Sequence, residues 1–162
     1  MLVERSTHLP CPAERCHEEV LTIRLLRYVT SPLLRFEPVD PPVLPERWAN
    51  GAHRVSMRVF GVIPFGRQVI DISRRDSSRE AGHFRAELRD NGRGTLIAMW
   101  DHRITIEAEG TGCRYTDRVE VRAGLLTPLV WLFAWFFYRH RQKRWRALVG
   151  HGFDYAAAGW RG

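Results

Sequence analysis

The sequence has almost no lysine, few cysteines and no long apolar segment. Of its 25 basic residues only Lys143 is not arginine, and the arginines are spread along all 162 residues. The formal charge of +7 is therefore typical of a compositional bias, with arginines and acids sharing solvated strand faces. One true basic cluster remains, residues 139–146 (RHRQKRWR). We expect no nucleic-acid partner.

Cysteine occurs only as Cys11, Cys16 and Cys113. Such a sparse, odd-numbered set argues against a disulfide framework and is typical of reduced thiols in a cytoplasm. Cys11, Cys16 and His17 match no standard zinc spacing, and no fourth ligand is evident. We therefore expect neither a metal nor a cofactor.

The longest strongly apolar run covers residues 125–138, which is only 14 positions and includes Thr127 and Pro128. A spanning helix needs about 20 apolar residues. The N-terminus lacks the pattern of a signal peptide, so we expect a cytoplasmic protein. A chain of 162 residues with 44% hydrophobic content predicts one domain over residues 1–150 and a C-terminal tail over 151–162.

The first third of the chain predicts a short strand over 2–9 and a helix over 12–26, which Pro12 can begin. Residues 31–45 contain five of the nine prolines. They exclude a regular helix and predict a bent edge strand that wraps an apolar surface.

From residue 53 the pattern becomes antiparallel sheet. Strands are predicted over 53–59, 68–73 and 82–89, with turns at 60–66 (FGVIPFG) and 90–94 (DNGRG). A final pair of strands covers 96–108 and 113–122. Because their residues alternate with period two, each strand has one apolar face. Those faces carry two polar residues, His102 and Asp117.

Charge pairing on the solvent-exposed face indicates the register of the last two strands. A hairpin loop of residues 111–112 sets Arg103 opposite Glu120, whereas a loop of 109–112 sets Arg103 opposite Arg118. Opposite charges stabilise facing positions and like charges destabilise them. The sequence therefore favours the first register.

In that register Asp117 faces Ile106. His102 then lies two same-face positions farther along the neighbouring strand, at about 3.3 Å per residue. This spacing argues against a direct contact between His102 and Asp117.

The last helix begins near Thr127 and Pro128. Residues 129–137 are apolar on every side, which predicts burial on more than one face or contact with another hydrophobic body. Residues 139–146 then turn the helix basic.

The motifs WDH (100–102) and YTDRVE (115–120), followed by a glycine and a long helix with a basic end, resemble the SRPBCC proteins, the START and Bet v 1-like superfamily. The resemblance covers about residues 4–149. It implies an α+β helix-grip fold, a curved antiparallel sheet of about six to seven strands around the C-terminal helix, with a hydrophobic cavity between them. Many relatives carry a tryptophan in the first helix, where this chain has Cys16 and His17.

Members of that superfamily bind lipids, sterols, polyketides or plant hormones, and some act as aromatase/cyclases. Our leading hypothesis is a non-enzymatic protein that binds a hydrophobic or amphipathic small molecule or lipid. The expected ligand contacts combine large apolar side chains with a few polar groups. They are Met57, Phe84, Trp100, His102, Tyr115, Asp117, Phe133, Phe136 and Phe137.

Two alternatives stay open. As a polyketide cyclase or dehydratase-like enzyme, the protein would use His102 as acid/base with Asp117 or Tyr115 as its helper. As a peripheral membrane protein, it would place Trp131 and Trp135 beside the basic cluster at a lipid headgroup surface.

Overall fold

The protein is described by a computed structural model that covers residues 1–80 and 83–160. Ten regular elements follow one another along the chain. They are β1 (Leu2–Leu9), α1 (Ala13–Val20), α2 (Ile23–Thr30), β2 (Leu34–Asp40), β3 (Gly51–Val59), β4 (Ile63–Glu80), β5 (His83–Gly94), β6 (Met99–Glu109), β7 (Gly112–Arg122) and α3 (Thr127–Gly150).

The seven strands form one antiparallel sheet in the order β1-β7-β6-β5-β4-β3-β2. Helix α3 packs against β1, β7 and α2, while α1 packs against β5, β6 and β7. The helix-grip architecture expected from the sequence is confirmed. The proline-rich segment does form an edge strand, β2.

The single helix predicted over 12–26 is wrong, because the chain breaks into α1 and α2 at Thr22. The Oγ1 atom of Thr22 accepts a hydrogen bond from the Leu25 amide (3.1 Å) and so caps α2. The Trp48 amide donates to the Leu21 carbonyl at 2.7 Å. The break therefore lets the segment before β3 dock on the helices.

The turn predicted at residues 90–94 is also wrong. Strand β5 continues to Gly94, and its glycines permit close strand packing. A Cβ atom on Gly94 would lie 2.9 Å from the Arg67 carbonyl oxygen, and one on Gly92 would lie 3.1 Å from that of Trp100. The predicted start of this strand, Gly82, lies outside the described residues.

The register of the β6–β7 hairpin differs from the one favoured by charge pairing. Arg103 faces Arg118, and the connecting turn is Gly110 and Thr111. Gly110 has φ +59°, a conformation that suits glycine. The two arginines find acids elsewhere: Arg103 contacts Asp101 on its own strand, at 3.3 Å.

The neighbouring strands complete this charge balance. Asp101 accepts two hydrogen bonds from Arg89 of β5, at 2.7 and 3.0 Å. On the other side Arg118 lies 3.5 Å from Glu4 of β1. The register predicted from the charges of β6 and β7 alone is therefore wrong, because the charges are balanced over four strands, β5, β6, β7 and β1.

Helix α3 buries one face and exposes another. The buried face carries Val130, Ala134, Phe137 and Tyr138. Apolar side chains on the other side stay exposed, among them Leu129 and Phe136, the latter 56% exposed. None of the described helices is both long and apolar enough to cross a membrane.

Residues beyond α3 pack against the start of the domain. Tyr155 is buried, and its ring lies edge-on to that of Tyr28 on α2, with 5.3 Å between centroids. Its hydroxyl also hydrogen-bonds the Glu19 carboxylate of α1.

Candidate functional site

A cavity lies between the sheet and α3. Its volume is about 850 Å³ when the open mouth is included. The walls come from β2 to β6 and from α1 to α3.

Most of the lining is apolar. The apolar and aromatic side chains are Val20, Leu25, Leu26, Leu34, Phe36, Trp48, Met57, Phe65, Ile70, Ile72, Leu88, Ile97, Trp100, Ile104, Phe133, Phe137 and Tyr138. The polar ones are Thr30, Gln68, Asp90, His102 and Arg141. An apolar enclosure with a few polar groups is the usual composition of a small-molecule site.

His102 and Asp117 are in direct contact. Because β6 and β7 pair Ile104 with Asp117, the carboxylate is one diagonal step from His102. The Nε2 atom of His102 lies 2.9 Å from Oδ1 of Asp117. The prediction that these two residues are too far apart to pair is therefore wrong, and the cause is the register of the hairpin.

Asp117 also contacts three other side chains. The Tyr115 hydroxyl donates to Oδ1 of Asp117 at 2.9 Å and accepts a hydrogen bond from Arg141 at 3.1 Å. The amide of Gln142 donates to Oδ2 of Asp117 at 3.3 Å and to the Arg5 carbonyl at 2.7 Å. The Arg141 Nε atom lies 3.3 Å from Oδ1 of Asp117. This network joins α3 to the sheet.

The network sets the protonation of its members. Burial alone would raise the pKa of Asp117, but the Arg141 guanidinium and the hydrogen bonds from His102 and Tyr115 lower it below its ordinary value. Burial lowers the pKa of His102, and Asp117 only partly offsets this. An ionised Asp117 accepts the proton of Nε2, so the other ring nitrogen, Nδ1, is the acceptor of a neutral His102.

Two atoms of the network remain available to a ligand. Within the described part of the chain, no hydrogen bond involves Nδ1 of His102 or Nη1 of Arg141. Both residues line the cavity. A hydrogen-bond donor on a ligand can therefore meet His102, and an acceptor can meet Arg141.

Asp90 adds a second acid to the cavity wall. It lies directly opposite His102 across β5 and β6, and its Oδ1 atom accepts a hydrogen bond from the Asp71 amide at 2.8 Å. Burial raises the pKa of Asp90 to about 7, although the Asp71 amide lowers it in part. Asp90 is half-buried and lines the cavity.

The nine expected ligand contacts divide into two groups. Five line the cavity: Met57, Trp100, His102, Phe133 and Phe137. Four do not: Phe84, Tyr115, Asp117 and Phe136. Tyr115 and Asp117 support His102 from behind, Phe84 packs 5.8 Å from the His17 ring, and Phe136 points to solvent.

Arg141 is the functional residue that sequence reasoning missed. It belongs to the basic cluster of residues 139–146, although it is only 6% exposed. Its spacing gave a usable signal, because it lies seven positions after Ala134 and four after Phe137 on the face that is buried. A lone charge on the apolar stripe of a gripped helix predicts an internal partner.

The two tryptophans expected at a lipid surface are half-buried, and both contact the sheet. Trp131 donates its Nε1 proton to the Leu2 carbonyl at 2.8 Å, and the Arg5 guanidinium lies 4.7 Å from the Trp135 ring centroid. The apolar side chains that are exposed near that end belong to other positions. They include Phe60, Val62, Ile63, Leu96, Leu125, Leu126, Leu129 and Leu132.

Solved structures share this architecture at low sequence identity. Protein CV1439 from Chromobacterium violaceum is 14% identical, with a TM-score of 0.60 over 91% of this chain and 96% of that chain. A START superfamily protein from Mycobacterium smegmatis is 13% identical, with a TM-score of 0.55 over 93% and 97%. Ara h 8.0201 is 9% identical, with a TM-score of 0.51 over 88% and 95%.

These likenesses establish the fold alone: the chain shares its helix-grip architecture with a START superfamily protein and with Ara h 8.0201. Among the curated proteins no sequence matches this chain. A family model matches residues 8–149, and the chain therefore belongs to the family described as a domain of unknown function, DUF8410.

Proposed function

We propose that this protein binds an amphipathic small molecule in the cavity between the sheet and α3. The observation that carries the proposal is the pairing of an apolar wall with the available atoms of His102 and Arg141. A fully apolar core would bury no such groups without partners. Their presence favours a ligand with a polar head and a hydrophobic body.

The charged residues in the cavity wall limit the chemical classes of head group that the ligand can carry. Arg141 supplies donors only, so it favours a carboxylate, carbonyl or hydroxyl oxygen. Asp90 is half-protonated near neutral pH, because its pKa is about 7, and it can act as donor or acceptor. The body of the ligand then packs against aliphatic and aromatic side chains such as Ile72, Leu88 and Phe137.

The direct test uses an anionic, environment-sensitive apolar dye, anilinonaphthalene sulfonate, together with native mass spectrometry of the purified protein. We expect the dye to bind at one site and to be displaced by material extracted from the protein itself. Ile72→Trp places bulk in the cavity wall, where the residue is 4% exposed, and should weaken dye affinity at least about tenfold, or about 1.4 kcal/mol.

Val43→Trp is the matched control, because Val43 is 76% exposed and does not line the cavity. Its dye affinity should stay within about twofold of the wild type. Equal affinities for the wild type and Ile72→Trp, in variants with the same unfolding midpoint, would contradict binding in the cavity.

The exposed apolar side chains give such a ligand a route to the cavity. The turns β3–β4 and β5–β6 and the start of α3 lie at the same end of the sheet, since β7 ends beside the start of β6. Transfer from a membrane surface is supported by these side chains, with Phe60 and Leu125 among the most exposed.

A second candidate function is proton transfer on a bound carbonyl compound, as in a cyclisation or dehydration. The observation that favours it is the 2.9 Å contact of His102 with Asp117, which orients the ring and leaves Nδ1 as a base toward the cavity. The lowered pKa of His102 keeps that base neutral at pH 7.

A β-diketone probe tests this candidate by hydrogen–deuterium exchange at its central carbon, followed by nuclear magnetic resonance. The wild type should accelerate exchange, and His102→Gln should reduce the acceleration by about 10²–10⁴-fold while dye binding persists. Exchange should slow below the pH at which His102 takes up a proton. No acceleration by the wild type removes the candidate and leaves the binding proposal intact.

A further inference from the structure

The side chains of the three cysteines lie close together, and none of them lines the cavity. Cys11 lies in the loop between β1 and α1, Cys16 lies in α1, and Cys113 lies near the start of β7. Their sulfur atoms all lie within 4.8 Å of one another. Cys11 is 5% exposed, and the other two are completely buried.

Strand pairing and backbone hydrogen bonds bring the three cysteines close together. Leu9 at the end of β1 pairs with Cys113 of β7, which sets the loop that carries Cys11 beside the strand. The Cys11 amide donates to the Leu9 carbonyl at 2.9 Å. The Cys16 amide donates to the Pro12 carbonyl at 3.0 Å, so the first turn of α1 presents Cys16 to the same place.

We propose that Cys11, Cys16 and Cys113 bind one soft metal ion through three thiolates. Three sulfurs at about 2.3 Å from a common ion lie about 3.8–4.0 Å apart, so small side-chain rotations suffice from the present spacing. Thiolate ligands select soft ions such as Cu⁺ and Zn²⁺ over hard ones. The site is separate from the ligand cavity.

The coordination number favours Cu⁺ as the occupant. Within the described ranges 1–80 and 83–160, no histidine or carboxylate joins the three sulfurs at that spacing. Structural zinc sites use four protein ligands, whereas catalytic ones keep an open position for water. A closed site of three sulfurs has no fourth protein ligand and no open position for water. Three-coordinate Cu⁺ requires neither of these.

Cysteine binds a metal ion as the thiolate, so binding of Cu⁺ releases the thiol protons to solvent.

The experiment titrates the reduced full-length protein with Cu⁺ under anaerobic conditions, in competition with a chromophoric Cu⁺ chelator. We expect one Cu⁺ per chain, loss of reactivity of all three thiols, and three sulfur neighbours by X-ray absorption spectroscopy. Cys113→Ala should bind Cu⁺ more than about a hundredfold more weakly, since losing even an outer hydrogen-bond partner of a ligand costs about 10–100-fold.

His17→Ala is the matched control, because His17 follows Cys16 directly but its ring packs on Phe84. It should bind Cu⁺ like the wild type. Circular dichroism shows whether each variant folds, and the sulfur count on the wild type stands even if Cys113→Ala does not fold. Fewer than three sulfur neighbours, or unchanged binding by a folded Cys113→Ala, would overturn the proposal.

Discussion

Replacing Arg141 by methionine should lower the free energy of unfolding by about 3–5 kcal/mol. The substitution keeps most of the apolar stem but leaves the Asp117 carboxylate buried without its cationic neighbour, which lies 3.3 Å away. Breaking one side of a buried ion pair is costly because the remaining charge has lost its water. Urea denaturation, followed by circular dichroism, measures the change.

Two further variants separate this cause from loss of packing. Arg139→Met changes an exposed arginine of the same helix and should alter stability by no more than about 0.5 kcal/mol. Adding Asp117→Asn to Arg141→Met removes the stranded charge, so the double variant should lose less than the sum of the single variants. If the stability losses of the two single variants simply add in the double variant, the ion pair between Arg141 and Asp117 is not the cause.

Replacing Asp90 by asparagine should stabilise the protein above pH 7 and leave it nearly unchanged below pH 4. The carboxyl has a pKa raised to about 7 by burial, against about 3.9 in an unfolded chain. Between these values the folded state holds a proton that the unfolded state has lost. The wild type therefore loses stability as pH rises through this range, by up to about 1.4 kcal/mol per pH unit.

The difference in the free energy of unfolding between Asp90→Asn and the wild type, taken at each pH, isolates the contribution of Asp90. His102 acts in the opposite direction, because its lowered pKa gives stability at high pH that is lost as pH falls below about 6.5. That effect is present in both proteins and cancels. Asn91→Ser, an uncharged substitution at the exposed neighbouring position, is the control and should give a difference that does not change with pH. A flat difference for Asp90→Asn would place its pKa near 4.

Residue alternation predicted the fold well because burial of one face is a local property of each strand. The apolar faces that carry Trp100, His102 and Tyr115 are confirmed by their burial. The edge strand expected from the prolines and the helix-grip fold implied by the superfamily resemblance are confirmed as well. Patterns of this kind need no knowledge of which strand lies beside which.

The candidate site depended on relations that a linear pattern does not contain. Register set the contact of His102 with Asp117, and it was decided by Arg89 and Glu4 on strands outside the hairpin. The role of Arg141 required knowing which face of α3 meets the sheet. The meeting of Cys113 with Cys11 and Cys16 follows from β1 pairing with β7, across about a hundred residues.

The glycines at residues 90–94 show a similar limit. As a local motif they are typical of a turn, but here they serve close approach between strands, as the 2.9 Å distance at Gly94 requires. Local propensity and tertiary packing favour different conformations for this same five-residue segment. Packing decides because β5 has partners on both sides.

The position of Trp100 gives the protein an optical property of its own. The indole forms part of the cavity wall and stacks on the Tyr138 ring with 6.1 Å between centroids. Water and an apolar guest differ in polarity, and indole emission depends on the polarity around the ring. Occupancy of the cavity is thus linked to the colour of the intrinsic fluorescence, so unlabelled compounds can be screened without chemical modification.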